Sequence, residues 1–188
     1  MKQDSLKRCS WCGSDENYIR YHDKEWGKLI TDEKILFEFL ILEGAQAGLS
    51  WLTILKRREH YRKAFAGFNP QIVSDFNEED ISRLMQNSGI IRNRLKIKSA
   101  IKNASLFLFI EKEFGSFYAY ILSFFPDQKP IVNHPNSIYD IPVTSVISDN
   151  ISQDMKKRGF TFFGSTICYS FLQATGFIND HVEQCDFK

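Results

Sequence analysis

A glutamate lies where the helical pattern of FLILEGAQAGLSW, residues 39–51, requires an apolar side chain. In helical spacing Glu43 shares its face with three apolar residues: Leu36, Leu40 and Ala47. A carboxylate on an inward face must be paired, hydrogen-bonded or protonated, because burying an isolated charge is costly. The pattern therefore indicates either a carboxylate in a ligand site or a structural carboxylate that caps a helix or pairs with an arginine.

Four aromatic residues accompany this glutamate: Trp11, Tyr18, Tyr21 and Trp51. Trp51 begins a second amphipathic run, WLTILKRREHYRKAF, with Ser50 as its predicted N-cap, so an indole and a carboxylate lie near one helix junction. Such rings stack on planar ligands, but they also fill cores. Spacing alone leaves both uses open.

Cysteines and histidines near both ends of the chain could hold a metal ion. His181 and Cys185 are four residues apart, so on a helical turn both side chains project from one face. Cys9 and His22 would complete a closed Cys₂His₂ set of the kind found in structural Zn²⁺ sites. Cys9-x-x-Cys12 is itself a familiar metal-ligand pair, and it is also a familiar redox pair, although no βαβ pattern surrounds it. The remaining alternative is that these residues are scattered and unrelated.

A glycine turn within LMQNSGII, residues 84–91, is predicted to join two helices, and four cations follow it: Arg92, Arg94, Lys96 and Lys98. Backbone N–H groups at the start of the second helix can hold a phosphate without reading base sequence. Further basic clusters lie at residues 56–58 and 156–158. The alternative is an ordinary turn beside solvated basic faces.

The elements that must position these residues are predicted to be helices. Residues 1–30 are predicted to form an ordered arm with short helical turns, and Thr31 is the predicted N-cap of the helix that carries Glu43. Nothing alternates as a strand, so the fold is predicted to be mainly α. The other predicted elements are a helix from Trp51 to about Phe65, a short helix after Asn77, a long helix from Arg92 to Phe114 stopped by Gly115, a helix from Ser116 to Phe125, a loop over residues 127–144, a helix from Ser148 or Asp149 to Gly159, and a helix capped by Ser165 that ends at Gly176.

Composition sets few limits on function. The 188 residues suit one domain with a proper core, and 24 Lys plus Arg against 23 Asp plus Glu give no global sign of a nucleic-acid partner. The N-terminal MKQDSLKRCS lacks the apolar core of a signal peptide and no stretch is long enough to span a membrane, so we expect an intracellular protein. Four Cys without a secretory signal indicate metal binding, catalysis or free thiols rather than a disulfide framework.

Taken together, these stretches resemble the DNA-3-methyladenine glycosylase I family over nearly the whole chain. The resemblance is carried by long motifs in a fixed order: RCSW at 8–11, YIRYHDKEWG at 18–27, LEGAQAGLSWLTILKRRE at 42–59, GIIRNRLKI at 89–97, KKRGFTFFGSTICYSFLQATG at 156–176 and NDHVEQC at 179–185. It implies an all-α helix-hairpin-helix glycosylase fold in a single domain, residues 1–188, with the hairpin at about 78–114. It also implies an enzyme that acts on double-stranded DNA carrying alkylated bases, hydrolyses the N-glycosidic bond of 3-methyladenine, releases the free base and leaves an abasic site. We expect a monomer and, from the missing signal peptide, a cytoplasmic location.

The resemblance also implies roles for individual residues. Glu43 matches the base-contacting carboxylate, and Gly89 and Ile90 match the turn that contacts the DNA backbone. Cys12 falls outside the matching set and is expected to be a free thiol. The base pocket is expected to be formed by Tyr18, Tyr21, Trp51, Trp11 and Ser170, and a structural Zn²⁺ joining the two chain ends is expected to be held by Cys9, His22, His181 and Cys185.

The chemistry of the implied substrate agrees with such a pocket. Adenine methylated at ring N3 is positively charged and a good leaving group, so the enzyme needs selective binding more than strong acid catalysis. Aromatic rings favour a cation, and an ionised Glu43 would attract it and accept hydrogen bonds from the adenine edge. No Lys lies in the Glu43 motif, so we expect no Schiff-base lyase step.

An activating Asp, which many relatives in the superfamily place after the hairpin, is missing from SLFLFIEKEF, where only Glu111 and Glu113 are nearby. Asp127 and Asp140 stay open as substitutes. Two other functions are kept as alternatives. One is a catalytically silent protein of the same fold that binds damaged DNA, and the other is a thiol redox protein that uses Cys9 and Cys12.

Overall fold

The computed structural model describes residues 6–188 and is almost entirely helical, which confirms the mainly α prediction. The first five residues, which belong to the stretch inspected for a signal peptide and to the predicted domain, lie outside this range. No helix within the range has the length and apolar character needed to cross a bilayer. The α-helices are α1 Glu16–Lys24, α2 Glu33–Gln46, α3 Trp51–Leu55, α4 Arg58–Ala64, α5 Pro70–Ser74, α6 Glu78–Gln86, α7 Arg94–Phe114, α8 Phe117–Leu122, α9 Val146–Arg158 and α10 Ser165–Ala174, and the strands are β1 Ile131–Val132 and β2 Ile178–Asn179.

Helix α2 lies at the centre of the fold and is buried on nearly all sides. Apolar residues surround its axis instead of forming one stripe, which is the pattern of a helix enclosed by others. It packs against α3, α7, α8 and α10. Leu36, Leu40 and Glu43 are buried as predicted, whereas Ala47 is the C-cap of the helix. The glutamate is therefore held in a central, well-packed element.

Helices α6 and α7 are joined by the glycine turn at residues 87–93. Asn77 and Asp80 form a capping box that starts α6, as the sequence predicted. The long helix begins two residues later than predicted, because the side chain of Asn93 accepts hydrogen bonds from the first N–H groups of α7. It ends at Gly115, whose φ of 84° is a left-handed conformation that glycine adopts without strain.

Three predicted helix starts are wrong by one to three residues. Helix α2 is capped by Asp32 rather than Thr31, since the Asp32 carboxylate accepts from the Ile35 N–H at 3.0 Å. Helix α9 is capped by Ser145, and Ser148 is its reciprocal partner in the capping box. Helix α10 is preceded by Gly164. The first two errors arise because neighbouring polar residues could each serve as the cap, whereas α10 begins at Ser165 itself and has no side-chain cap.

Other differences concern breaks and pairings. The N-terminal arm contains a nine-residue helix, α1, capped by Asp15. The predicted helix from Trp51 to Phe65 is split into α3 and α4, and the break brings Arg58 to the buried carboxylate of Glu38. The helix after Ser116 ends at Leu122 rather than Phe125. Strands β1 and β2 form a short parallel pair that the sequence did not reveal, because two residues are too few to show alternation.

Candidate functional site

A cavity of about 360 Å³ opens between α1, α2, α10 and the loop 138–143. All six residues predicted for a base pocket line it: Trp11, Tyr18, Tyr21, Glu43, Trp51 and Ser170. They come from distant parts of the chain, so the fold brings together what the sequence only suggested. The cavity is also lined by Trp26, Gln46, Ile138, Ile141, Pro142, Val143, Thr166, Tyr169 and Gln173.

Glu43 is 3% exposed, and no hydrogen bond or ion pair within residues 6–188 reaches its carboxyl group. No arginine within residues 6–188 pairs with it, as the structural alternative would require, and the buried Arg58 pairs with Glu38 and Glu25 instead. Burial raises the pKa of Glu43 to about 8. In the ligand-free protein the carboxyl group is therefore mostly protonated at neutral pH, contrary to the ionised form expected from sequence.

The aromatic walls contact one another at steep angles. The ring centroids of Tyr21 and Trp51 are 5.5 Å apart, and those of Trp11 and Tyr18 are 5.0 Å apart. Phe39 stacks behind Trp51 at 6.2 Å. These edge and tilted contacts fix the rings before a ligand arrives, so little side-chain entropy is lost on binding.

Several polar groups of the wall have no partner in the described part of the chain. The indole N–H groups of Trp11 and Trp51 are buried and unpaired. No residue within 6–188 hydrogen-bonds to the hydroxyls of Tyr18, Tyr21 or Ser170. Burial raises the pKa of both tyrosines, with a smaller contribution from Glu43, so their hydroxyls stay protonated. Unsatisfied polar groups around a cavity indicate a place for a polar ligand.

Three of the four predicted metal ligands form a buried cluster. Ligand atoms of Cys9, His22 and Cys185 lie within 4.8 Å of one another. The Nδ1 atom of His22 lies 2.8 Å from Asp23 Oδ1. The Arg8 guanidinium donates hydrogen bonds of 2.8–3.0 Å to the Asp23 carboxylate. This arrangement leaves the other ring nitrogen, Nε2, for the cluster.

His181 lies beside this cluster but is not one of the three. Its ring centroid is 4.9 Å from that of His22, and its buried Nε2 has no hydrogen-bond partner. Its Nδ1 is 2.8 Å from Asn179 Oδ1. The predicted helical turn joining His181 to Cys185 is wrong, because β2 ends at Asn179 and residues 183–184 form a turn. The chain reversal, rather than helical spacing, brings Cys185 to the cluster.

The cysteines are all free thiols, including Cys12, as predicted. Cys9 groups with Cys185 and His22 and forms no disulfide with Cys12. Burial raises the pKa of Cys9 to about 12 and also raises that of Cys12. A protonated, buried thiol is a poor nucleophile, so the geometry gives the redox alternative no support.

The turn predicted to contact DNA is held by the protein itself. The N–H of Gly89 donates to Asn87 Oδ1 at 2.8 Å, and that of Ile90 donates to the Asn87 carbonyl at 3.4 Å. A Cβ at position 89 would lie 2.6 Å from His60, so only glycine fits there. A phosphate contact through these two amides would require Asn87 to move.

Most of the basic residues noted in the sequence have partners. Arg94 and Lys98 pair with Glu78, and Lys56 pairs with Asp15. Lys96 donates from Nζ to the carbonyls of Ala45 and Ala47 at 2.8 and 2.6 Å, which closes the C-terminal end of α2. Arg57 donates to the Ser88 carbonyl, and Arg158 pairs with Asp154 and Glu113. These contacts favour a structural role for most residues of the basic clusters.

Glu43 is the only acidic side chain among the described residues that line the cavity. Glu113 pairs with Arg158. The pKa of Glu111 is raised mainly by burial and further by the neighbouring Glu33. Neither Asp127 nor Asp140 lines the cavity, and Asp140 is engaged with Ser137. None of these four groups lines the cavity, so none is placed to serve as the activating Asp that the sequence lacks after the hairpin.

Sequence reasoning missed the lining residues of α10 other than Ser170. Thr166, Ser170 and Gln173 follow one another at spacings of four and three, so a polar stripe runs along one face of an otherwise apolar helix. That stripe was visible in the sequence. Tyr169 and the buried Asp180, which holds it, could not be identified because their contact depends on the chain reversal after α10.

Comparisons with known proteins identify the family of this chain. A protein-family model described as Methyladenine glycosylase matches residues 11–188. DNA-3-methyladenine glycosylase 1 from Escherichia coli is 49% identical over 180 residues, or 96% of each chain, and DNA-3-methyladenine glycosylase from Haemophilus influenzae is 46% identical over 181 residues, covering 96% of this chain and 97% of that protein. A crystal structure of a variant of 3-methyladenine DNA glycosylase I in complex with 3-methyladenine superposes with a TM-score of 0.92 at 36% identity, covering 96% of this chain and 97% of that one. This chain therefore belongs to the methyladenine glycosylase family.

Proposed function

We propose that the protein is a DNA repair glycosylase that hydrolyses the N-glycosidic bond of 3-methyladenine in alkylated DNA. It releases the free base and leaves an abasic site. The names of its relatives and the bound 3-methyladenine in a related structure support this activity. The observation in this chain that carries the proposal is Glu43, a buried carboxyl group without a protein partner at the wall of an aromatic cavity.

Recognition follows from the charge of the damaged base. Methylation at ring N3 makes the purine cationic, and the rings of Tyr21, Trp51 and Tyr18 attract a cation more than a neutral base. A cation beside Glu43 also lowers the pKa of this carboxyl group from its raised value, so substrate binding favours the ionised form. The protein then holds a carboxylate against a cation in a water-poor cavity, where charge attraction is strong.

The reaction needs little acid catalysis because the cationic base is already a good leaving group. Glu43 and the unpaired hydroxyls hold the base, and the walls keep water away from its ring edges. To reach the cavity, the nucleotide must leave the duplex, and a damaged base is easier to unstack. The partner is therefore double-stranded DNA that carries alkylated bases.

We propose that α6, the turn at Gly89 and Ile90, and α7 form a helix-hairpin-helix contact with the DNA backbone. The order of two capped helices around a glycine turn supports it. Because the Asn87 side chain accepts from the Gly89 N–H, a phosphate bound at that amide would displace this side chain, and one bound at the Ile90 N–H would replace the bond to the Asn87 backbone carbonyl. Action as a monomer in the cytoplasm and organisation as one domain over residues 1–188 stay predictions from the sequence.

We also propose a structural Zn²⁺ held by Cys9, His22, His181 and Cys185. The buried three-residue cluster supports it, and so does the unpaired Nε2 of His181 next to His22. Burial lowers the pKa of both histidines, to about 4 for His181, which keeps the imidazoles neutral, as metal ligands must be. Such a site would join the two ends of the chain and contribute folding free energy without taking part in base release.

The test is release of free bases from methylated double-stranded DNA, with the products identified by chromatography. The protein is expected to release 3-methyladenine in preference to 7-methylguanine. Failure to release 3-methyladenine above the spontaneous rate would contradict the proposed function. If the protein instead shifted the mobility of methylated DNA without releasing a base, the catalytically silent alternative would be correct.

A further inference from the structure

Asp180 is a buried acidic residue that the mechanism above does not use. It is 1% exposed, and three side chains donate hydrogen bonds to it. Its Oδ2 accepts from Tyr169 Oη at 2.7 Å and from Gln173 Nε2 at 2.8 Å, and its Oδ1 accepts from Asn133 Nδ2 at 2.7 Å. Tyr169 and Gln173 line the base cavity, so this carboxylate lies directly behind its wall.

The contact with Asp180 fixes the polarity of the Gln173 amide, that is, which of its two ends faces Asp180. An amide side chain presents either its NH₂ group or its carbonyl, and the two orientations have nearly the same shape. A carboxylate only accepts hydrogen bonds, so the NH₂ group of Gln173 must face Asp180. The remaining group, Oε1, has no hydrogen-bond partner in the described part of the chain.

A second glutamine of the cavity, Gln46, also directs its NH₂ group to the protein. The NH₂ group of Gln46 donates to the Leu49 carbonyl at 2.8 Å, which leaves its Oε1 without a partner among residues 6–188. Each of these two wall amides therefore donates one hydrogen bond to the protein through its NH₂ group and has a carbonyl oxygen that is not used. These two carbonyl oxygens and the Glu43 carboxyl group give the cavity side-chain acceptors beside the indole N–H donors of Trp11 and Trp51.

We propose that Gln173 is a specificity-determining residue that accepts a hydrogen bond from the amino group of the adenine ring, and that Asp180 is the positioning residue that sets its polarity. This inference rests on the proposed function and names a further determinant of the same site. Guanine carries a carbonyl oxygen where adenine carries the amino group. Oε1 of Gln173 would face that oxygen acceptor to acceptor, which costs binding free energy.

Asp180 is required because an unconstrained amide could rotate. If the Gln173 side chain turned over, its NH₂ group would face a guanine carbonyl and the discrimination would be lost. The carboxylate prevents this rotation, since turning the amide would place Oε1 against a second acceptor in a buried environment. Selectivity is thus assigned to a pair of residues, of which only Gln173 meets the base.

The experiment compares kcat/KM for release of 3-methyladenine and 3-methylguanine from methylated DNA. Gln173→Met, which keeps the length of the side chain and removes the acceptor, is expected to lower the ratio of the two values about tenfold. Asp180→Asn, which allows the amide to turn over, is expected to lower the ratio in the wild-type background and to have no further effect in the Gln173→Met background. An unchanged ratio in Gln173→Met would overturn the inference.

Asn133→Ala is the matched control, because it removes a donor to the other oxygen of Asp180 and leaves the Gln173 contact in place. It is expected to lower stability while the ratio stays at the wild-type value. A purely structural role for Asp180 would instead lower both kcat/KM values by the same factor in Asp180→Asn.

A second measurement does not depend on whether Asp180→Asn folds. In ¹⁵N-labelled wild-type protein, the side-chain NH₂ protons of Gln173, assigned by their absence in Gln173→Met, are expected to exchange slowly with solvent; rapid exchange would contradict the Asp180 contact. If the wild type released no 3-methyladenine, the proposed function would fail. If it released the base and Gln173→Met kept the ratio, only the present inference would fail.

Discussion

The proposed base site depends most on one side chain, the buried carboxyl group of Glu43. A fully buried carboxyl group without a partner lowers stability, and proteins rarely retain one unless it serves a site. Here the carboxyl group lies in a cavity whose other polar groups are also unpaired. The sequence predicted its burial from helical spacing, but the raised pKa and the absence of an arginine partner required the structure.

The raised pKa predicts how base release depends on pH. Because burial holds the pKa of Glu43 at about 8 and the ionised form binds the cationic base, kcat/KM is expected to rise about tenfold per pH unit between pH 6 and 7 and to level off above pH 8. The measurement is initial release of 3-methyladenine at low substrate concentration, after subtraction of the spontaneous rate at each pH.

Glu43→Gln is the control for this profile, since it has no proton to lose at this position. Its residual kcat/KM is expected to be nearly independent of pH over the same range. A flat profile in the wild type, or an unchanged slope in the variant, would show that another group controls the dependence.

The same carboxyl group predicts an opposite effect of pH on stability. Its pKa is about 8 in the folded protein and about 4.5 when unperturbed, so its contribution to stability is fully present below pH 4.5 and is lost as pH rises toward 8. The loss is at most about 1.4 kcal/mol per pH unit. Glu43→Gln is therefore expected to gain in free energy of unfolding relative to the wild type between pH 5 and 8, as measured by urea denaturation. A constant difference across this range would contradict the raised pKa.

Among the elements, helix α2 depends on a lysine from α7. Lys96, which lies on α7, donates from Nζ to the carbonyls of Ala45 and Ala47 at the end of α2. These two residues lie two and four positions after Glu43. Removal of the Lys96 amine leaves two polar groups at a helix end without their donor. Lys96→Met is expected to cost about 1.5–3 kcal/mol in free energy of unfolding and to slow base release, since these hydrogen bonds involve a charged group.

Lys98→Met provides the comparison on the same helix, because Lys98 forms an exposed ion pair with Glu78. It is expected to change stability by less than about 1 kcal/mol. Both variants can be measured by denaturant unfolding and by release of 3-methyladenine. Equal effects of the two substitutions would mean that the Lys96 contacts do not hold the end of α2.

Helices were predictable where their signals were local. Asn77, Asn93 and Gly115 lie at helix boundaries that follow from short-range chemistry, and the structure agrees there to within two residues. The cap of α9 was misplaced because Ser145 and Ser148 form a reciprocal pair, and sequence cannot tell which member lies outside the helix. The non-helical path from His181 to Cys185 depends on contacts with the N-terminal segment, so helical spacing gave the wrong geometry.

At the scale of the whole described range, residues 6–188, its first and last segments contact each other. Lys7 and Asp186 exchange two hydrogen bonds, one from each backbone N–H, and Cys9 lies beside Cys185. The metal proposed for this junction would hold the N-terminal segment, which contributes Trp11 and Tyr18 to the cavity wall, against the C-terminal segment. The six residues predicted for a base pocket could be named from sequence because they lie in distinctive motifs, and the structure brings them to one cavity. The contact between Gln173 and Asp180 could not be predicted, because it depends on how distant segments pack.

The zinc proposal predicts one zinc ion per chain by elemental analysis of the purified protein. His181→Ala is expected to lose the metal and to lower the melting temperature by roughly 10 °C or more, because a closed zinc site contributes several kcal/mol of folding free energy. The fraction that stays folded is expected to retain base release.

Cys12→Ser is the matched control, since Cys12 is buried nearby but lies outside the ligand cluster. It is expected to keep its zinc. Wild-type protein without zinc would refute the metal site, and a folded apoprotein that regained activity only with zinc would refute its structural role.

The central claim is that an unpartnered acidic side chain inside an aromatic slot selects the cationic purine. Single-turnover release of 3-methyladenine from methylated duplex DNA by wild type and Glu43→Gln tests it most directly, with thermal unfolding used to verify that both proteins are folded. The account predicts a rate at least about tenfold lower for the variant, the loss expected when a charged hydrogen bond is removed. A folded Glu43→Gln protein that released the base at the wild-type rate would contradict it.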